Sequence, residues 1–416
     1  MMITQCDVAI IGAGPAGACA AALLANQGID VCIFEKEQFP RFSIGESLLP
    51  QSMVFLQQAG LLDAVNAHGF QMKDGAVFLQ QGKFSCFDFS EKFTPGPSQT
   101  FQVQRDQFDK ILADGAEKAG AKVYYRHQID AMDCESDHNR LTITDLTTNI
   151  ASTVKAKFVL DASGFGRVLP RLCDLELPSD FPVRQSVFAH ITDNISPDSE
   201  FDRNKILITV HPQIEDIWFW LIPFANGTSS LGVVGAQPYF DELAELSPPL
   251  DLEQQLRHFV NQVPQLEALL SDAKVCSEVR SIKGYSANVS RLYGDRFALL
   301  GNAGEFLDPI FSSGVTIALQ SSVLAAPLVI KTLNNETVDW ENEFSKPLRR
   351  GITTFKTFVE GWYNGDLRKV IFYHQPEESI KNKVCSILAG YAWDTNNPLV
   401  KHSQRRLKAL AESCSE

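Results

Sequence analysis

The stretch at residues 6–36, CDVAIIGAGPAGACAAALLANQGIDVCIFEK, decides the fold of this chain. An apolar run, a glycine-rich turn, an alanine-rich segment and a second apolar run follow one another, which is the order strand, turn, helix, strand. Gly12, Gly14 and Gly17 stand in G-x-G-x-x-G spacing within the turn. Gly12 permits the tight turn, Gly14 lets the backbone approach a pyrophosphate, and Gly17 lets the helix pack closely on the strand.

An acidic residue, Glu35, ends the second apolar run. Its carboxylate can accept hydrogen bonds from ribose hydroxyls, while the N-terminus of the helix faces the phosphates. The acidic strand end does not distinguish NAD from FAD, and the sequence contains no second unit of this kind for another dinucleotide. We therefore predict one adenine-dinucleotide site, formed by Gly12, Gly14, Ala16, Gly17, Glu35 and Lys36.

Composition narrows the classes of partner. The chain has 416 residues, 44% of them apolar and 21% charged, which is ordinary for a globular protein of two closely joined domains. Its net charge of -13 argues against a nucleic-acid or anionic-membrane surface, because either would need basic side chains. No apolar run reaches the roughly 20 residues of a membrane span. We expect a cytoplasmic protein with no membrane and no nucleic-acid partner.

The nine cysteines are scattered, without C-x-x-C pairs or neighbouring histidines. Cys6, Cys19 and Cys32 fall inside predicted strand or helix cores. We expect them to be small buried apolar residues rather than disulfides or metal ligands, and we predict no metal site.

Two later segments repeat the order of strand, small-residue turn and apolar stretch: KFVLDASGFGR, and DRFALLGNAGEFLDPIFSSGVTIALQSSVLAAPLVI. Alternating strand patterns lie between the nucleotide-binding segments, and the end of the chain is helical and aromatic. The predicted fold class is α/β, with an antiparallel-sheet substrate domain interleaved with a Rossmann-like domain and followed by C-terminal helices. The predicted dinucleotide domain covers residues 1–70, 98–183 and 276–345, the sheet domain 71–97 and 184–275, and the helical region 346–416.

The segment IWFWLIP, at residues 217–223, contains two of the five tryptophans. In an extended strand Trp218 and Trp220 share one face, and Phe219 points to the other. A buried strand rich in aromatic residues explains this pattern as well as a functional wall does.

Taken together, several motifs resemble the flavin-dependent halogenases and the wider group of FAD aromatic monooxygenases. These motifs are GAGPAG, PRFSIGESLLP at residues 40–50, Arg105 before a helix, DASG at residues 161–164, WFWLIP, and FLDPIFSSG at residues 306–314. The last two are similar to the halogenase signatures W-x-W-x-I-P and F-x-x-P-x-x-S-x-G. The resemblance implies FAD as the cofactor and a fold like that of glutathione reductase and p-hydroxybenzoate hydroxylase.

The resemblance also implies roles for particular residues. Residues expected along the flavin or the rest of the dinucleotide are Arg41, Glu46, Ser47, Arg105, Asp161, Gly164, Asn302, Pro309, Ser313, Gly314 and Val315. Backbone amides near Ser313 and Gly314 are expected beside the isoalloxazine, where a halide could also bind. A serine cap at the start of the following helix is the alternative for this turn.

Lys73 stands where these halogenases carry their essential lysine. A lysine can capture hypohalous acid by hydrogen bond or as a chloramine, provided that burial lowers its pKa toward neutrality. The alternative is an exposed lysine at the start of a strand. The resemblance likewise implies that Trp218 and Trp220 separate the flavin from the substrate.

The chain departs from the family pattern at two positions. Asn302 replaces the usual aspartate after glycine, and Ile217 replaces a glycine that commonly precedes the first tryptophan. Both suggest an outlying branch of the family.

The implied chemistry uses a flavin C4a-hydroperoxide to hydroxylate or halogenate an electron-rich ring such as a phenol, pyrrole or indole. It requires O2, an external reductant, either NAD(P)H or a separate flavin reductase, and for halogenation chloride or bromide. Because halogenases of free tryptophan are longer, we expect a ring carried on a protein. The alternatives are a free small aromatic, or a tryptophan of a partner enzyme that is oxygenated during quinone-cofactor biosynthesis.

Overall fold

The computed structural model describes residues 4–375 and 377–414. The strands are β1 Gln5–Ile11, β2 Val31–Glu35, β3 Gln71–Lys73, β4 Gly75–Gln80, β5 Lys83–Asp88, β6 Thr100–Gln102, β7 Lys122–Tyr125, β8 His127–Cys134, β9 Asn139–Asp145, β10 Ile150–Asp161, β11 Glu176–Leu177, β12 Arg184–Thr192, β13 Lys205–Val210, β14 Trp218–Pro223, β15 Thr228–Ala236, β16 Lys274–Val275, β17 Arg280–Lys283, β18 Asn288–Val289, β19 Tyr293–Gly294 and β20 Phe297–Leu299.

The α-helices are α1 Pro15–Ala25, α2 Gln51–Gln58, α3 Leu62–His68, α4 Arg105–Ala119, α5 Val168–Leu172, α6 Gln237–Ala244, α7 Leu252–Val260, α8 Pro264–Leu269, α9 Ser313–Leu333, α10 Lys346–Tyr363, α11 Asp366–Ile371, α12 Glu378–Leu388, α13 Pro398–Lys401 and α14 Ser403–Ser413. A π-helical turn, Glu341–Ser345, leads into α10.

The first sheet has the order β19-β20-β10-β1-β2-β7, and the hairpin of β8 and β9 joins it through β10. The pairs β1–β10, β1–β2, β10–β20 and β2–β7 are parallel, so the carboxyl ends of these strands meet at one edge. Helices α1 and α9 pack together on this sheet, where the Ser322 hydroxyl of α9 donates to the carbonyl of Ala16 in α1 at 2.8 Å. The glycine turn of residues 12–17 therefore opens onto the edge where a dinucleotide binds in this class of sheet.

The second sheet has the order β16-β12-β15-β14-β13-β4-β5, and β17 also pairs with β12. Its pairs are antiparallel except β13–β4, which is parallel and joins two separate chain segments. The predicted boundary at residue 275 falls before β17, although β17 still belongs to this sheet. The α/β class with interleaved sheets is confirmed, and the exact domain limits stay a prediction.

Helix α9 is long and apolar enough to span a membrane by length and composition alone, but 72% of its most apolar window is buried inside the protein. Burial of this extent is that of a core helix. Cys6, Cys19 and Cys32 are buried free thiols, as the strand and helix patterns predict.

Candidate active site

A cavity of about 450 Å³ lies at the carboxyl edge of the first sheet and reaches the second sheet. We call it the central cavity. The turn after β1, the end of β2, the segment after β10 and the start of α9 line one part of it, and Trp218 and Trp220 of β14 line another. Predicted site residues that line it are Gly12, Gly14, Ala16, Glu35, Lys36, Arg41, Glu46, Ser47, Arg105, Gly164, Asn302, Pro309, Gly314, Val315, Trp218 and Trp220.

The glycine turn is fixed by close packing. Gly12 has a φ of +95°, and a Cβ there would lie 2.7 Å from the carbonyl oxygen of Ala162. A Cβ on Gly17 would lie 1.9 Å from the carbonyl oxygen of Gly12, so Gly17 serves helix packing and does not line the cavity. A Cβ on Gly14 would project into open space, with Arg41 Nη2 at 3.6 Å as its neighbour.

Glu35 braces the same turn from the end of β2. Its Oε2 accepts from the amide of Ala13 at 2.8 Å, and its Oε1 accepts from the amide of Glu37 at 2.8 Å. A carboxylate has about four acceptor positions, so ribose hydroxyls can still donate to it.

Two arginines give this end of the cavity positive charge. Arg41 Nη1 lies 2.9 Å from Asp109 Oδ2, and Arg105 Nε donates to Asp109 Oδ1 at 2.7 Å. Arg105 also donates to the carbonyl of Ile44 and so holds the chain segment that lines the cavity. Arg41 Nε also lies 3.7 Å from the half-exposed Glu37 carboxylate, so Asp109 and Glu37 hold the two guanidinium groups at this end of the cavity.

Asp161 ends β10 but does not line the cavity. Its Oδ1 accepts from the amide of Ser163 at 2.9 Å and its Oδ2 from the amide of Leu169 at 2.6 Å. Burial raises the pKa of this carboxyl group. The carboxylate therefore shapes the turn after β10, whose residues 162–164 line the cavity.

The turn before α9 brings Ser312 to the cavity beside the predicted Gly314. Ser312, with a φ of 55°, precedes the helix and lines the cavity, whereas Ser313 is buried as the first helical residue. Gly314 and Val315 also face the cavity. The serine-cap alternative gains no support, since the Ser312 side chain makes no capping hydrogen bond. First-turn amides of a helix lack intrahelical acceptors and favour anions.

Lys73 is buried, with 1% of its surface exposed, so it is not the exposed lysine of the alternative. Its Nζ donates to Ser47 Oγ at 2.8 Å and to the carbonyl of Leu48 at 2.9 Å, and it lies 5.5 Å from the centre of the Phe89 ring. Burial lowers its pKa to about 7. Lys73 does not line the central cavity, and its partner Ser47 does.

The indoles of Trp218 and Trp220 lie side by side, with ring centres 5.9 Å apart. We call this pair the tryptophan wall. Trp220 faces Gly232 across the strand pair, and a Cβ on that glycine would lie 2.2 Å from the indole, so Gly232 makes the room that the indole fills. Phe219 and Ile217 point to the other core of the sheet, as the strand alternation predicts. Both indoles are buried and also line the cavity, so core packing and a wall remain compatible.

Several lining residues lie outside every motif of the sequence, and they are His127, Gln128, Ile129 and Phe165, whereas Ser163 and Phe306 lie within the DASG and FLDPIFSSG motifs without an assigned role. The first three follow β7, which pairs in parallel with β2, so a parallel sheet order would have placed them beside Glu35. His190 Nε2 contacts Glu46 Oε1 at 2.6 Å. Burial lowers the pKa of His190, but the Glu46 carboxylate raises it. The net result is a raised pKa.

The cavity fits FAD on its own geometry. The space above Gly14 is one that a side chain would fill, a cation lies beside it, and an acid with free acceptor positions ends β2. Arg41, Arg105 and the glycine turn would hold the pyrophosphate, Glu35 the ribose, and the start of α9 the ring system. These features define an adenine-dinucleotide site that accommodates FAD.

Comparison with known proteins agrees with this class. Residues 5–339 match the model of the FAD binding domain family. The flavin-dependent halogenase gsfI of Penicillium aethiopicum is 30% identical over 381 residues, which cover 86% of this chain and 71% of that protein. The 1H-pyrrole-2-carbonyl-[peptidyl-carrier protein] chlorinase of Pseudomonas fluorescens is 29% identical, over 99% of this chain and 94% of that protein.

A crystal structure of a flavoprotein/dehydrogenase from Cytophaga hutchinsonii superposes with a TM-score of 0.93 at 42% identity, over 99% of both chains. The chain therefore belongs to the FAD binding domain family, within the superfamily of flavin-dependent halogenases and aromatic monooxygenases. It is an FAD-dependent oxidoreductase, and the resemblance stated from its motifs is confirmed.

The glycine turn gives a direct prediction. Gly14→Val should fold normally yet bind no FAD, because the new side chain occupies the space that the pyrophosphate needs. Gly17→Val should fail to fold, because its Cβ would overlap the carbonyl oxygen of Gly12. Thermal unfolding and the FAD released on denaturation measure both effects. A Gly14→Val protein that keeps one FAD per chain would contradict this placement of the pyrophosphate.

Proposed function

We propose that this protein is an FAD-dependent halogenase of an electron-rich aromatic ring that is carried on a protein. The observation that carries the proposal is Lys73. Its amine is buried, has its pKa lowered to about 7, and lies one hydrogen bond behind Ser47 in the lining of the central cavity. Direct hydroxylation would leave this amine with its hydrogen bonds to Ser47 and Leu48 but no chemical role.

Reduced FAD supplies the activation of O2 that turns chloride or bromide into hypohalous acid, with electrons from NAD(P)H directly or from a separate flavin reductase. The start of α9 offers the halide its first-turn amides. The tryptophan wall keeps the organic ring away from this end of the cavity, so that only a small oxidant passes.

Near neutral pH a large fraction of Lys73 is the neutral amine, which is the nucleophilic form. Its nitrogen attacks the halogen of hypohalous acid: an N–halogen bond forms, the O–halogen bond breaks, and one amine proton leaves with the hydroxide as water. The aromatic ring then takes the halogen, the N–halogen bond breaks, and the proton displaced from the ring returns to the amine. Ser47 Oγ and the Leu48 carbonyl both accept from the free amine, and one of these two hydrogen bonds persists while the nitrogen carries the halogen.

Likeness to one relative supports a carrier-bound ring. The pyrrole chlorinase, which acts on a pyrrole-2-carbonyl group held by a peptidyl carrier protein, is matched over 94% of its length. We extend that substrate class, a small ring tethered to a protein, to this chain.

The test compares tethered and free substrates. The protein is supplied with reduced FAD, O2 and bromide, together with either pyrrole-2-carbonyl on a carrier protein or free pyrrole-2-carboxylate. We expect brominated product from the tethered ring and little from the free acid, because binding of the carrier positions the ring. Equal turnover of the free acid would contradict the carrier requirement. Hydrogen peroxide alone, with every ring tested, would contradict halogenation and favour a protein that works only with a partner enzyme.

A further inference from the structure

Trp218 is the first member of a hydrogen-bonded chain that leads away from the central cavity. Its Nε1 donates to the Tyr363 hydroxyl at 2.9 Å, and that hydroxyl donates to Asp308 Oδ2 at 2.9 Å. The three residues come from β14, from the last residue of α10 and from the loop before α9. This series of hydrogen bonds therefore joins the second sheet, the C-terminal helices and the turn that faces the cavity.

The donor and acceptor at each of these hydrogen bonds are fixed by the groups at the two ends of the series. An indole N–H can only donate, and an ionised carboxylate can only accept. Tyr363 must therefore accept from Trp218 and give its own proton to Asp308. The indole is held in a single orientation as long as both hydrogen bonds are made.

Asp308 serves the cavity turn at the same time. Its Oδ1 accepts from the amide of Ile310 at 3.1 Å, and the hydroxyl of Tyr285 lies 3.4 Å from its Oδ2. The next residue, Pro309, lines the cavity, and Asp308 itself is 3% exposed. One carboxylate thus fixes both the turn before α9 and, through Tyr363, the tryptophan wall.

Tyr363 is held on its ring face as well. The guanidinium carbon of Arg184 lies 3.4 Å from the centre of the tyrosine ring, within the range of a cation–π contact. Arg184 Nη2 is paired with Asp216 Oδ1 at 2.7 Å, which fixes the cation in turn. The tyrosine is therefore clamped by β12 as well as by its two hydrogen bonds.

We propose that Tyr363 and Asp308 are positioning residues that hold the indole of Trp218 in the orientation that closes the tryptophan wall. The consequence for catalysis, which is that less oxidant is lost as peroxide, rests on the proposed function. The orientation of the indole is independent of the proposed function. Helix α10 carries no motif of the family and contributes no residue to the lining of the central cavity, so it acts on the reaction through Trp218.

The pair also makes the wall sensitive to pH. Burial raises the pKa of Asp308 to about 6, against the opposing effects of its amide, arginine and tyrosine neighbours. The titratable groups that face it are Arg184 from β12, Tyr363 from α10 and Tyr285 from the loop before β18. Below that pH the carboxyl group carries a proton and accepts less well from Tyr363, so the hold on Trp218 weakens.

The test follows the indole N–H of Trp218 in the full chain labelled with 15N-tryptophan, with its resonance assigned by its loss in Trp218→Phe. We expect this resonance to move in Tyr363→Phe, and to titrate with a midpoint near 6 in the wild type but not in Asp308→Asn. The control is Tyr391→Phe, which removes another C-terminal hydroxyl, one that donates to the carbonyl of Pro97 at 2.8 Å. It should leave the resonance unchanged.

In the FAD-bound protein, peroxide released per reductant consumed should rise about 2- to 10-fold in Tyr363→Phe, the range that one hydrogen bond of ordinary strength sets. It should not rise in Tyr391→Phe. An unmoved Trp218 resonance in both Tyr363→Phe and Asp308→Asn would overturn the proposal. The resonance needs neither halide nor substrate, so it decides the proposal even if no halogenated product is ever found. If Tyr363→Phe does not fold, Asp308→Asn alone decides, since its titration must then be absent.

Discussion

Lys73→Met should abolish product formation and, at neutral pH, make the protein more stable. Activity should fall at least about 100-fold, the lower range for removing a group that takes part in the chemistry. FAD binding should persist, because Lys73 does not line the central cavity. If replacing Lys73 both stabilises the fold and stops the reaction, the role of Lys73 is chemical and not structural.

The gain in stability follows from the pKa. Burial lowers the pKa of Lys73 from 10.5 to about 7. At about 1.4 kcal/mol for each pH unit between these values, keeping the ammonium charged inside the fold costs of the order of 5 kcal/mol. Methionine removes this cost but leaves the buried Leu48 carbonyl without its hydrogen-bond donor. The unsatisfied carbonyl destabilises the variant by about 1–3 kcal/mol. The net gain should be about 2–4 kcal/mol.

The sign with pH can be checked separately. Below pH 7 both the folded and the unfolded lysine are protonated, so the full cost is present. Between pH 7 and 10.5 the unfolded chain binds the proton and the folded one does not, so the wild type becomes relatively more stable as pH rises. Urea unfolding at pH 6 and pH 9 should show the advantage of Lys73→Met shrinking at the higher pH.

Lys205 provides the matched control. Its Nζ is paired with Asp74 at 2.8 Å and with Asp202 at 2.7 Å, and the two carboxylates raise its pKa despite the opposing effect of burial. Lys205→Met should therefore destabilise the protein and spare the chemistry. A less stable Lys73→Met protein at pH 6, or one with full activity, would make Lys73 a structural residue.

Trp220→Ala should uncouple the reaction, with reductant and O2 consumed and hydrogen peroxide released in place of product. Trp220 lines the central cavity, is 5% exposed and donates to Ser230 Oγ at 3.1 Å. Truncation enlarges the cavity beside Gly232 and opens the wall between oxidant and ring. It also costs about 3–5 kcal/mol of packing, out of the roughly 5–15 kcal/mol that stabilise a domain.

Trp362→Ala is the control that distinguishes loss of packing from loss of the tryptophan wall. Its indole is fully buried against Phe78 and Phe311, it does not line the cavity, and its Nε1 has no hydrogen-bond partner among the described residues. Trp362→Ala should lower the thermal midpoint about as much as Trp220→Ala and leave coupling intact. Equal coupling in both variants would assign the tryptophan wall to the core. If either alanine variant does not fold, Trp220→Phe and Trp362→Phe make the same comparison.

The parts of the site that the sequence predicts are those that local chemistry requires. Gly12 and Gly17 have neighbours too close for a side chain, so their spacing alone identifies the turn. The strand alternation likewise puts both tryptophans on one face. The side chain of Ser312 rather than that of Ser313 lines the cavity, because the left-handed Ser312 lies before the first helical residue, a detail that the letters FSSG do not show. The placement of the Ser313 and Gly314 amides beside the flavin stays a prediction.

Other parts depend on contacts between distant segments. Tyr363 lies 145 residues from Trp218 along the chain, and no periodicity or motif links them. Residues 127–129 reach the cavity only because β7 lies beside β2. The burial of Lys73 likewise depends on the pairing of β3 with β6 and on the contact of its amine with Ser47, which lies 26 residues away.

The most direct test of the central claim is the mass spectrum of the product formed from a carrier-bound pyrrole or phenol with reduced FAD, O2 and bromide, by the wild type and by Lys73→Met. We predict the isotope doublet of a single bromine from the wild type and unmodified substrate from Lys73→Met. A product that gains one oxygen and no bromine, in the wild type and the variant alike, would show that the ring is hydroxylated directly and that Lys73 does not carry halogen.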